Sequence, residues 1–377
     1  MVRNLFYFLK SEDAGLAVAT EPESKHLKRK SLLSAVNQDV LKWLSRYTDL
    51  EGNSETAVLK TSTLFNVDTL YNHSSNQSFF QNIVNLKRVN DIQRINAFLT
   101  GVNRKLPQGG HFIGCVETQV LRKKRILEKF PPLFGPIYYF FDFLFKRVFP
   151  KIVGLRAFYL FITNGRNQAI SKAEILGRLY FCGYKIVDLK QNRNMLYFVA
   201  EKVKESTEID EPQSGPLIRM KRQGKDGTII HVHKLRTMYP YSECLQEYIY
   251  EKNHLRPGGK FRNDFRISTM GNFLRGIFVD ELPMLWNMFK GDLKLVGVRP
   301  VSMHYLSLYS EELRAIRKKV KPGLIPPFYA DLPLTLDEIM ASEMRYIQAY
   351  LKNPVKTDVY YFFRSLYNIL VKRARSK

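Results

Sequence analysis

Gly271–Pro300, GNFLRGIFVDELPMLWNMFKGDLKLVGVRP, sets an adjacent pair of acids between two arginines at the start of a helix. Asp280 stands where an N-cap is expected, Met284–Phe289 supplies an apolar helix body, and Gly291 marks its end. Pro283 suits that helix only in its first turn, where a missing N–H is no loss. A carboxylate so placed faces unpaired backbone N–H groups and the positive end of the helix dipole, which favour its ionised form and also attract phosphate. In isolation the same pair would be read as an ordinary cap and a dipole partner.

Its surroundings argue for chemistry. Asp280-Glu281-Leu282-Pro283, then Lys290-Gly291-Asp292, then Leu295-Val296-Gly297-Val298-Arg299-Pro300 resemble, in order and spacing, the signature of the bacterial sugar transferases, the monotopic polyprenyl-phosphate phosphoglycosyltransferases. Gly215-Pro216, Arg222-Gln223-Gly224-Lys225-Asp226-Gly227 and His233-Lys234-Leu235-Arg236-Thr237-Met238 resemble that family's opening block. Arg266-Ile267, Gly271 and Phe273-Leu274-Arg275 resemble its middle, and Val320-Lys321-Pro322-Gly323 its later part, so the likeness runs over roughly residues 213–377.

The resemblance implies transfer of a sugar-1-phosphate from a nucleotide diphosphate sugar to polyprenyl phosphate, the step that initiates polysaccharide or glycan assembly. It implies a covalent route in which the Asp of the dyad attacks the sugar-bearing phosphorus and the lipid phosphate displaces the phosphosugar from it. Carried onto this chain, Asp280 is the nucleophile and Glu281 the neighbouring acid/base, and the two carboxylates are the Mg²⁺ ligands. Lys234, Arg236, Arg275 and Arg299 are the candidate phosphate contacts. The planar guanidinium fork matches phosphate oxygens better than a point charge does, which favours Arg275 and Arg299, whereas Lys234 and Arg236 can also be read as plain strand alternation. The competing reading is a catalytically inactive, membrane-associated scaffold or binding protein on the same fold.

Fifty-nine Lys and Arg against thirty-five Asp and Glu leave a net charge of +24, which calls for an acidic partner. No helix-turn-helix, zinc or RNA-binding signature accompanies that charge and the basic residues are dispersed, so nucleic acid is not the expected partner. Cys115, Cys182 and Cys244 lie far apart with no CxxC and no paired His, which argues against a disulfide framework or a zinc site and fits a reducing cytoplasm. Leu5–Leu9 is too short an apolar run for a signal peptide.

The first half reads as alternating helix and strand. Ser31–Leu44 has helical spacing, Ala57–Leu70 alternates as a strand, and Asn90 can cap a helix bearing Ile92, Ile95, Leu99 and Val102. His111–Thr118 reads as a strand, with His111 and Cys115 as packing residues, Ser171–Cys182 as a helix, and Tyr184–Leu189 with Met195–Ala200 as a strand pair. This order is similar to the second half of a class I methyltransferase sheet, without the glycine-rich loop that would cradle a nucleotide cofactor. The expected architecture is therefore a degenerate Rossmann-like (methyltransferase-like) α/β domain over 1–205, then a mainly helical α+β phosphoglycosyltransferase domain with a small sheet over 206–377.

Within the first domain Phe130–Ile162 is the most aromatic segment, interrupted by Asp142, Lys146, Arg147, Lys151 and Arg156 and broken by Pro150. It is no spanning helix, which needs about 20 apolar residues. Rings interleaved with cations suit an anionic membrane interface, with Lys146, Arg147 and Lys151 on lipid phosphates; a buried helical pair over the sheet is the alternative. The family carries a re-entrant membrane helix just before its Gly-Pro block, whereas this chain has the charged stretch Ala200–Ser214 there. After Gly323 the family continues with a Thr-Gly-Leu-Ala-Gln type of loop, whereas this chain has Leu324-Ile325-Pro326-Pro327-Phe328-Tyr329. The expected location is the cytoplasmic face of the inner membrane, monotopic or peripheral.

Overall fold

The computed structural model describes residues 29–50, 55–71, 79–152, 154–206, 215–253 and 264–374. Leu5–Leu9 and the acidic-Pro run Glu208–Ser214 lie outside them. The chain divides into two compact units, Met1–Pro212 with Glu243–Leu245, and Gln213–Ser242 with Gln246–Lys377.

The first unit is built on a five-stranded sheet in the order β1 (Thr56–Leu59), β2 (Asn82–Arg88), β3 (His111–Val116), β5 (Met195–Lys202), β4 (Tyr184–Asn192). The first three strands run parallel, and β5 is antiparallel to both β3 and β4. Successive residues Ile83 and Val84, and Phe112 and Ile113, are all buried, because both faces of the central strands are covered. One face receives Val40, Trp43 and Leu44 from α1 (Gln38–Leu44). On β3 and β5, Phe112 stacks edge-on against Phe198 at 5.6 Å. α2 (Ile95–Arg104) buries Phe98, Leu99 and Val102.

Two local expectations fail for one reason. Ser31–Leu44 is not one helix: Asn37 takes extended backbone and its side chain accepts from Asp39 N, so α1 starts only at Gln38. Asn90 is no cap either. It is fully buried, donates to Glu117 O and Gln168 O at 2.8 Å each, and accepts from Glu117 N at 2.7 Å, tying three segments together. In both places a side-chain amide satisfies backbone groups whose identity the local pattern does not reveal. The strand expected over Ala57–Leu70 is likewise only β1, followed by a short helix Phe65–Asp68.

Phe130–Ile162 folds as α4 (Phe134–Phe143), a π-helical turn Leu144–Val148, a 3-10 turn Phe149–Lys151 and α5 (Leu155–Thr163), following α3 (Gln119–Lys129). Two of its charges serve the interior. Arg122 of α3 forks onto Asp142 with both bonds at 2.6 Å, and buried Arg147 pairs with buried Glu174 of α6 (Lys172–Phe181). Arg147 is therefore unavailable to a lipid phosphate, contrary to the expectation from its sequence position. Lys146 lies 4.9 Å from the Phe145 ring centre. Leu133, Phe134, Ile137, Phe140, Phe141 and Phe161 remain exposed, so the segment is not a helical pair buried over the sheet.

The second unit has two small ribbons. β6 (Leu217–Gln223) and β7 (Ile229–Leu235) form an antiparallel hairpin, and β8 (Lys294–Val296) pairs in parallel with β9 (Gly323–Ile325). Around them pack α7 (Thr269–Gly276), α8 (Met284–Phe289), α9 (Leu336–Lys352) and α10 (Pro354–Leu370). Thr335 caps α9: its hydroxyl accepts from Glu338 N at 3.2 Å, and the Glu338 carboxylate reaches back to accept from Leu334 N, just ahead of the cap, at 2.7 Å. The core of this unit joins Val296 and Val298 to Tyr346 and Ile347 of α9 and Tyr361 of α10.

Candidate active site

The acid pair is held by a sharp corner. α7 ends at Gly276, Phe278 turns left-handed at φ 59°, and Val279–Glu281 form a single 3-10 turn before α8. Asp280 is therefore not the N-cap of α8. Pro283 occupies that place without a side-chain bond, while Met284–Phe289 is helical and Gly291, at φ 79°, stops it as expected. A left-handed bulky residue costs on the order of 1–3 kcal/mol, and such strain concentrates at sites where geometry matters.

β7 faces this corner. Val232 packs on Met284, and Lys234, two residues along the same face, donates from Nζ to Glu281 Oε1 at 2.6 Å. Buried Asn287 locks α8 onto the strand, accepting from His233 N at 2.9 Å and donating to His231 O at 2.7 Å and Asp292 Oδ2 at 3.0 Å. Asn287 is a positioning residue that the sequence reading passed over; an amide inside a short apolar helix is its only signal.

Arg275 reaches Thr237 Oγ1 from Nε at 2.9 Å. α7 can lie this close because Gly271 has no Cβ: one built there would sit 1.9 Å from Thr237 O. Gly271→Ala should accordingly lower stability by about 1–3 kcal/mol and shift Arg275, measured as a lower denaturant midpoint together with weaker phosphate binding. An alanine variant unchanged in both would show that α7 does not need this approach.

Asp280 is buried, and burial with the neighbouring Glu281 charge raises its carboxyl above the ordinary range, while Lys234 and Arg275 pull the other way. The dipole-favoured ionisation expected from an N-cap is thus reversed by desolvation. Burial also lowers the Arg275 guanidinium, against the pull of Asp280 and Asp264. Arg299 is exposed, and its backbone carbonyl accepts from Arg317 at 2.7 Å. Arg222, lowered by burial and by the field of Arg299, joins the cationic cluster although the sequence reading gave it no role at the site. Arg236 helps fix the start of the hairpin, its Nε donating to Gly215 O at 2.9 Å.

Removing the Glu281 charge should let Asp280 ionise more readily. In Glu281→Gln the Asp280 titration, followed by carboxyl carbon NMR, should move to lower pH, since one repelling charge is gone and Lys234 loses its partner. An unmoved titration would mean that burial alone sets it.

Among the described residues no group of three or more His, Cys, Asp and Glu could hold a metal ion. The adjacent Asp280 and Glu281 carboxylates nevertheless fit Mg²⁺, which commonly takes one or two protein carboxylates and completes its shell with substrate phosphates and water.

Residues 203–372 match the bacterial sugar transferase family. That match covers rather less than half of the chain. The chain is 39% identical over 103 residues to an uncharacterized sugar transferase, EpsL, of Bacillus subtilis, covering 27% of this chain and 45% of the relative. It is 32% identical to a UDP-glucose:undecaprenyl-phosphate glucose-1-phosphate transferase of Klebsiella pneumoniae, covering 32% and 24%. Against the undecaprenyl-phosphate galactose phosphotransferase of Salmonella typhimurium the identity is 35%, covering 27% and 22%. The chain thus spans less than half the length of these relatives. A solved structure of PigF with SAH aligns over 47% of this chain and 65% of its own at 13% identity, with a TM-score of 0.24, too low to argue a shared fold. No helix among the described residues is long and apolar enough to cross a membrane.

Proposed function

We propose that the sugar transferase region moves a sugar-1-phosphate from a nucleotide diphosphate sugar to polyprenyl phosphate through a covalent intermediate on Asp280. The observation that supports this is the buried Asp280 carboxylate beside Glu281, opposed by Lys234 and Arg275. An Asp280 oxygen attacks the phosphorus bearing the sugar; the bond from that phosphorus to the nucleoside monophosphate breaks, and the monophosphate leaves with the electron pair. An oxygen of the lipid phosphate then attacks the same phosphorus, breaks its bond to Asp280 and restores the carboxylate. Each step exchanges one P–O bond for another. Lys234 and Arg275 offset the charge gathering on the phosphoryl oxygens, and Arg299 presents an exposed fork to the diphosphate. Asp280 and Glu281 would hold Mg²⁺, which supplies charge neutralisation at the diphosphate.

The test is nucleoside monophosphate release by the full chain from a panel of nucleotide sugars, with undecaprenyl phosphate and Mg²⁺ present. Repeated turnover that requires the lipid phosphate, together with a single-turnover burst of monophosphate and phosphosugar trapped on Asp280 in its absence, supports the reading; absence of both across the panel removes it.

The exposed rings of α4 and α5, bordered by the exposed Lys123, Lys124 and Lys129 of α3, support contact with an anionic membrane surface. The protein should sediment with anionic vesicles and be partly released by salt, which screens the lysines but not ring burial. A protein that stays in the supernatant with anionic and zwitterionic vesicles alike has no such surface.

A further inference from the structure

Beside the acid pair lies a cavity of about 210 Å³ whose lining is apolar except for Glu281. Leu282 and Leu285, next to the acid pair, line it together with Leu324, Ile325 and Tyr329. The last three come from the Leu-Ile-Pro-Pro-Phe-Tyr loop, the place where this chain departs from the polar loop of the sequences it resembles. Pockets for drug-sized ligands run to about 300–1,000 Å³, so this one takes a short stretch of an apolar chain and not a nucleotide. Leu282, Trp286 and Phe289, spaced along one face from the 3-10 turn through α8, are exposed and continue the apolar surface outward.

Resting on the transfer reaction proposed above, we infer that this cavity holds the first isoprenoid segment of the lipid phosphate acceptor, with its phosphate directed at the acid pair. The chemistry supports that occupant at both ends. Glu281 lines the cavity and is bonded to Lys234, so an anionic head at the mouth meets Lys234 and the nearby Arg275, while the tail meets leucine and isoleucine side chains. A nucleoside or sugar would strand its hydroxyl and amide groups against that lining without partners. The loop residues Leu324 and Ile325 thereby become determinants of the acceptor's first carbons.

Binding by the full chain is measured by equilibrium dialysis with radiolabelled farnesyl phosphate, methyl phosphate and farnesol, each below its micelle-forming concentration. Farnesyl phosphate should bind at least about tenfold more tightly than methyl phosphate, since several methylenes leave water. Farnesol, lacking the charged head, should bind more weakly than farnesyl phosphate. Leu285→Gln should remove most of the farnesyl preference while leaving the binding of a nucleotide sugar unchanged. Equal binding of farnesyl and methyl phosphate, or a folded Leu285→Gln that keeps the preference, overturns the subsite. If Leu285→Gln does not fold, Leu282→Gln at the exposed rim decides the question by the same comparison. A protein that shows this pattern yet releases no monophosphate from any nucleotide sugar keeps the subsite and loses the proposed reaction; turnover without the pattern does the reverse.

Discussion

Asp280→Asn should abolish phosphosugar transfer, with turnover reduced on the order of 10⁴-fold or more, and should at the same time raise the melting temperature at neutral pH. The first effect follows from the proposed mechanism, since an amide oxygen cannot form the acyl phosphate. The second follows from the fold. Burial and Glu281 raise the Asp280 carboxyl above the value of about 3.9 that it has in an unfolded chain. The folded protein then binds the proton more tightly than the unfolded one, so above both values the ionised carboxylate opposes folding. As pH falls through the raised value the folded form takes up its proton and the penalty shrinks, disappearing below the ordinary value. The gain in Asp280→Asn should therefore be largest at neutral pH and vanish near pH 3, as measured by thermal unfolding across that range. Near wild-type turnover in folded Asp280→Asn would sink the covalent route; a loss of stability at neutral pH would sink the account of the burial.

Glu343→Ala should cost about 3–5 kcal/mol, measured by urea unfolding. Glu343 on α9 and Arg317, at the end of the helix Glu311–Arg317, are both buried and joined as an ion pair, and Tyr309 OH donates to Glu343 at 3.5 Å. Removing the acid leaves a buried guanidinium without its counter-charge, against a total stability of roughly 5–15 kcal/mol for a domain. Replacing both residues, as in Arg317→Met with Glu343→Leu, should recover most of that loss, because the desolvation of two charges is no longer required. Activity should not recover with it. Arg317 also holds the Arg299 carbonyl, so the double variant folds while the exposed Arg299 fork loses its anchor. A cost below about 1 kcal/mol for Glu343→Ala would mean that water reaches the guanidinium in its place.

What the sequence disclosed and withheld divides by the range of the interaction. Met284–Phe289 with Gly291, the Thr335 cap and the strand pair Tyr184–Asn192 with Met195–Lys202 are local patterns, written in neighbouring residues and readable there. The match over residues 203–372 agrees with ordered motifs spread across that region. Asn90, Asn287 and the Arg317–Glu343 pair act across 26 or more positions along the chain, and a lone amide or charge carries no trace of its distant partner. Asp280 was misplaced as a cap because Asp before an apolar run is the usual capping signature. The cap sits three residues on, at Pro283, behind a left-handed turn at Phe278, and nothing about a phenylalanine announces such a turn.

Phe278 also sets a trade-off for anyone who would make this protein more robust. Glycine at position 278 would adopt the left-handed turn at no steric cost, so the folded backbone would be relieved at the corner. The same exchange deletes the ring that meets Tyr329 edge-on at 5.8 Å and frees two backbone torsions immediately before the acid pair. Relieving the turn at this point therefore loosens the grip on the reactive carboxylates, so backbone ease and a held acid pair pull against each other at position 278.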